Sequence, residues 1–107
     1  MQYGMTFVLD MMDFERDEEM HVLTMPGDYI RMSEWAEKNI EGGTETVSSL
    51  RRNYVTAWFA LERRGKLEEL GLPETLDLEA VDAMADRFSI FVNEFDGVLP
   101  LECGRKE

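Results

Sequence analysis

The stretch "RRNYVTAWFALERRGKLEELG", Arg51 to Gly71, decides how this chain is layered. Projected at about 100° per residue, Leu50, Tyr54, Val55, Ala57, Trp58, Phe59 and Leu61 spread over roughly 200° of a helix, whereas an ordinary surface helix shows an apolar stripe of about 100°. Arg52, Asn53, Thr56 and Arg63 occupy the remainder. Such a helix needs cover on two sides, which makes it the middle one of a small body. Ser48 or Ser49 supplies the N-cap oxygen. Gly65 marks a bend, and Gly71 with Pro73 ends the element.

Upstream, "MTFVLD" alternates Met5, Phe7 and Leu9 with Thr6, Val8 and Asp10, the period of a strand. "MMDFERDEEM" concentrates charge from Glu15 to Glu19 and reads as a hairpin turn. "EMHVLTM" returns with Met20, Val22 and Thr24 on one face and His21 and Leu23 on the other. Two strands alone are marginal in water. They need helices on one face, or a partner strand at an edge. Asp28 is placed to cap the helix "DYIRMSEWAEKNI", whose Tyr29, Met32, Trp35, Ala36 and Ile40 share one arc. Ile30 sits on its charged side. Gly42 and Gly43 suit a left-handed exit.

Downstream, Asp77 caps a third helix, "LEAVDAMADRFSIFVNEF". Leu78, Val81, Met84, Ala85, Phe88, Phe91, Val92 and Phe95 fall on one face, and Ile90 stands alone among polar residues. Gly97 stops the helix. The expected fold is α+β and mostly α: an N-terminal β-hairpin followed by about three helices, as a single domain over residues 1–97. A flexible C-terminal tail is expected over residues 98–107.

The chain has 107 residues and a formal net charge of −12. The charge is uneven: residues 1–47 carry 11 acids and 3 bases, residues 48–71 carry 3 acids and 5 bases, and residues 72–107 carry 9 acids and 3 bases. An acidic total repels phosphates and disfavours a nucleic-acid partner. No apolar run reaches the ~18 residues of a membrane span. The first twenty residues lack a basic start followed by an apolar block, so no signal peptide is expected. One cysteine, Cys103, leaves no internal disulfide. A cytoplasmic protein without a membrane partner is expected.

Little in the sequence points to a reaction. One histidine, His21, and one cysteine give nucleophilic dyads and triads little to be built from. They also leave too few nitrogen and sulfur ligands for a structural zinc site. Asp10, Asp13, Glu15, Asp17, Glu18 and Glu19 lack the spacing of a calcium loop. No glycine-rich phosphate motif is present. Asp82 and Asp86 are four apart on a solvated helix face. The expectation is a protein that is not an enzyme, with no catalytic residue, cofactor or metal. Interaction remains: unpaired sheet edges, Ile30 and Ile90 on polar faces, and more apolar surface on the middle helix than one neighbour covers. Burial in the core is the default reading of Trp58 and Phe59; with Ile90 and Ile30 they are also the candidate partner-contact residues.

The order of these elements resembles that of the tail assembly chaperones of siphovirus-type bacteriophages. The match rests on Thr24, Asp28, Ile30, Arg31 and Glu34 at the first helix. In the second, Ala57, Trp58, Ala60, Leu61 and Arg63 match, with Glu62 where that family often has a base. It covers about residues 5–96. Met25-Pro26-Gly27 departs from the family's small polar residues before the Asp. The resemblance implies a non-enzymatic factor of the host cytoplasm, absent from the mature virion. It would bind the tape measure protein and assist tail tube assembly, and a longer frameshifted form would recruit the major tail protein. Self-association is a further expectation. The alternatives are a small acidic phage or prophage inhibitor mimicking nucleic acid, which the basic balance of residues 48–71 disfavours, and an oligomeric interaction module without a client.

Overall fold

The computed structural model describes residues 7–43 and 47–94. Two strands come first, β1 (Phe7–Asp13) and β2 (Glu18–Leu23). Helices α1 (Pro26–Asn39), α2 (Ser49–Arg63), α3 (Leu67–Leu70) and α4 (Leu78–Arg87) follow, and β3 (Phe88–Glu94) closes the order. The α+β, mostly helical architecture with an N-terminal β-hairpin is as the sequence leads one to expect. The strand start at Met5, the stop at Gly97, the tail 98–107 and Cys103 lie outside the described residues.

One element differs. The apolar pattern from Leu78 onward does not stay helical to Phe95: α4 ends at Arg87, and Phe88–Glu94 becomes a strand. The sheet order is β2-β1-β3, antiparallel throughout. Leu9 lies between Val22 and Val92, and Met11 between Met20 and Ile90. The physical reason is that two strands leave β1 half paired, and a run rich in β-branched and aromatic residues pairs with it. Ile90 is explained by the change. An anomaly on a helical wheel, it is a strand residue of the helix-facing side, packed against the core.

The sheet has two unlike faces. Leu9, Met11, Val22 and Phe88 are buried on the side that meets the helices. On the other side Asp10 pairs with His21 and with Phe91 in register, and Phe91 is 71% exposed. Helix α2 packs against α1, α4 and the sheet. It buries Tyr54, Val55, Thr56, Ala57, Trp58, Ala60 and Leu61, the two-sided cover its wide arc requires. Leu50, at its first turn, remains exposed.

Caps fix the helix starts. The Ser48 hydroxyl accepts the Arg51 N–H at 3.1 Å, and the Asp77 carboxylate accepts the Ala80 N–H at 2.8 Å. Helix α1 starts two residues before Asp28, so Asp28 is not its N-cap but reaches back to accept the Met25 N–H at 2.9 Å. Both indoles hold the loop before α4. Trp35 donates to the Leu76 carbonyl at 2.8 Å and Trp58 to the Pro73 carbonyl at 3.0 Å. Gly42 and Gly43, at φ 93° and 68°, turn the chain away from α1 in a backbone region that costs other residues strain.

Candidate functional site

The basic residues of the middle stretch bond to groups of their own chain, although Arg63, Arg64 and Lys66 are exposed. Arg63 donates to both carboxylate oxygens of Asp28, at 3.0 and 2.9 Å, and to the Leu23 carbonyl at 3.2 Å. Arg31 adds a bond to Asp28 at 2.8 Å. Burial of Asp28 alone pushes its pKa up. Arg63, the Met25 N–H and Arg31 outweigh that, and the net direction is down. Arg51 pairs with Asp82 at 3.0 Å, and Lys66 with Glu69 at 3.5 Å. Arg51, Arg63 and Lys66 thus each meet a carboxylate of this fold, and Arg52 and Arg64 donate to the Val47 and Leu23 carbonyls.

A second buried pair shapes the hairpin tip. Arg87 grips Asp13, whose carboxylate also accepts the N–H groups of Glu15 at 3.0 Å and Arg16 at 3.3 Å. Arg87 is foremost in holding the Asp13 carboxyl below its ordinary pKa, against the opposing effect of burial. The Phe14 N–H donates to the Arg87 carbonyl at 2.9 Å. Arg16 donates to the Glu69 carbonyl at 3.0 Å. The chain turns through Asp17 at φ 57°, a conformation that Asp tolerates better than most residues.

This scaffold presents Phe14, 63% exposed, beside a groove of about 630 Å³. Leu72 and Pro73 line it too, as do Ala80, Ala83 and Met84 of α4. Glu15, Asp86 and Arg87, the last paired with Asp13, stand among the lining residues. Small side chains along α4 leave room for a ligand to approach. Among the described residues, no group of three or more His, Cys, Asp or Glu side chains could hold a metal ion.

The four expected contact residues separate. Trp58 is 3% exposed and belongs to the core, not the surface. Burial of its large ring between helices, with the N–H satisfied by Pro73, is the physical reason. Phe59 is partly buried and meets Trp58 edge to face, with ring centroids 5.1 Å apart. Ile90 is partly buried on the helix-facing side of β3. Ile30, on α1, is 56% exposed and is the one of the four that stands well out of the surface. Sequence reasoning missed Phe14 and misplaced Phe91. A lone aromatic inside the acidic run "DFERDEE" was the available signal for Phe14. For Phe91 it was the alternation of Phe88, Ile90 and Val92, which puts position 91 on the opposite face.

His21 lies on the open face of β2, with its Nδ1 2.5 Å from an Asp10 oxygen. No helix among the described residues is long and apolar enough to cross a membrane. Comparison with protein-family models, curated proteins and solved structures finds no match.

Proposed function

We propose that this chain is a non-enzymatic tail assembly chaperone that binds a helical, apolar segment of the tape measure protein in the groove beside Phe14. The observation that carries this reading is an exposed aromatic, Phe14, lining one groove with Leu72, Pro73 and the Ala80, Ala83 and Met84 side chains of α4. Helix-in-groove recognition needs such a slot, with apolar anchors entering it at helical spacing. Glu15 and Asp86 suit a client whose anchors are flanked by lysine or arginine. The net charge of −12 keeps the loaded complex dissolved. On this reading the protein acts in the host cytoplasm and leaves before the virion matures, and a longer frameshifted form brings the major tail protein to the growing tube. An acidic mimic of nucleic acid is less well supported, because residues 48–71 carry 3 acids and 5 bases and so break up an acidic face.

Co-expression tests the reading. A tape measure fragment that pellets alone moves to the soluble fraction with this chain and co-elutes with it. A fragment that stays insoluble, or dissolves equally well with an unrelated acidic protein, contradicts the proposal.

A further inference from the structure

The two outer strands of the sheet are protected differently. β2, "EEMHVL", carries Glu18, Glu19 and His21 along its length. Charge of this kind is a common guard against edge pairing. β3, "FSIFVNE", has no charged residue before its last position, no proline and no glycine. Among the described residues its outer edge pairs with no strand. In a chain of net charge −12, it is the edge that another strongly acidic molecule can approach without setting carboxylate against carboxylate.

From this we infer that β3 pairs antiparallel with β3 of a second copy of this chain, across a two-fold axis at Phe91, to make one continuous six-stranded sheet. The register follows from the pleat. A two-fold axis perpendicular to the sheet keeps equivalent faces together, so residues of like parity oppose one another. Centred on Phe91, position 90 meets position 92, position 89 meets 93, and Phe91 meets its own copy. Ile90 then packs on Val92, which is 38% exposed in the single chain. The two Phe91 rings, each 71% exposed, become direct cross-strand neighbours on the open face. Among the described residues, pairing consumes β3 in both copies and leaves only the β2 edges, guarded by Glu18 and Glu19, so assembly stops at two. A helical client cannot satisfy the β3 edge, so this surface is separate from the groove beside Phe14.

Two measurements on the full chain test it. By sedimentation equilibrium at about 100 µM, where protomer concentration favours association, the chain has twice its 12.4 kDa mass. Phe91→Lys, at an exposed position, gives a single-chain mass with an unchanged circular dichroism spectrum. In a Cys103→Ser background, mild oxidation of Phe91→Cys gives a covalent dimer, because opposed Cα atoms lie about 4.5–5.5 Å apart, within disulfide reach. Ser89→Cys does not, because the two copies of that position stand about 13 Å apart along the strands. A single-chain mass for the unaltered protein overturns the inference, whether or not a client strand occupies the edge. So does a dimer that survives Phe91→Lys, or cross-linking of Ser89→Cys equal to that of Phe91→Cys.

Discussion

Arg87 donates to both oxygens of Asp13, from Nε at 2.9 Å and Nη2 at 2.8 Å, across 74 residues of sequence. The pair joins the hairpin tip to the point where α4 becomes β3. Asp13 is fully buried and Arg87 nearly so, so removing one partner leaves the other poorly solvated. Asp13→Asn therefore costs about 3 kcal/mol of folding stability. Urea unfolding followed by tryptophan fluorescence measures it. The exposed pair Arg51–Asp82 is the control, and Arg51→Ala changes stability by less than about 1 kcal/mol. Equal losses at the two sites would contradict the role given to the tip.

Acid weakens this fold in a defined direction. The carboxyls of Asp13 and Asp28 both have pKa values lowered from the ordinary 3.8. A depressed carboxylate contributes stability that is fully present above its unfolded pKa and lost as pH falls through the folded one. Stability is thus level in this respect above about pH 5 and declines below about pH 4, where protonation breaks the bonds from Arg87 and Arg63. Asp13→Asn removes one of the two groups and flattens that decline. Denaturation midpoints from pH 2 to pH 7 check it, and an identical acid slope in the variant would contradict it.

Trp58 and Ile30 separate core from surface. Trp58→Ala removes a ring that is 3% exposed and costs about 3–5 kcal/mol. Ile30→Ser, at a position 56% exposed, changes stability by no more than about 0.5 kcal/mol. Thermal melts of the two variants measure the contrast. A mild effect at Trp58 would mean that α2 is not the buried centre of the fold.

The caps of α2 and α4 offer a smaller test. Ser48→Ala and Asp77→Ala each remove a side-chain acceptor for a first-turn N–H and each cost about 1 kcal/mol. The sites lie on different helices, so the double variant loses close to the total of the single losses. A strongly non-additive double variant would show that the two helix starts are coupled.

Much of the fold was legible because local signals agreed with one another. Asp77 and the pair Ser48-Ser49, of which Ser48 is the cap, announced helix starts, and the broad apolar arc from Leu50 to Leu61 announced a central helix. Alternation from Met20 to Thr24 gave the correct inward face of β2. The segment after Arg87 was misread because Phe88, Phe91 and Val92 fit a helical period while Phe88, Ile90 and Val92 fit a strand. Only the vacant edge of β1, a tertiary fact, decides between them. The buried bridges were illegible for a similar reason. Nothing local distinguishes Asp13 from the solvent-exposed acids after it, and its partner lies near the far end of the fold. Arg87 of that bridge lines the groove, and its carbonyl accepts the Phe14 N–H.

The account rests most heavily on the groove beside Phe14. Its direct test is calorimetric titration of a soluble tape measure helix into the intact chain and into Phe14→Asp. Removing a large apolar anchor costs about 1.5–3 kcal/mol, so the variant should bind about 10- to 100-fold more weakly, with its circular dichroism and melting temperature unchanged. Equal affinity for the two proteins would contradict the proposed site.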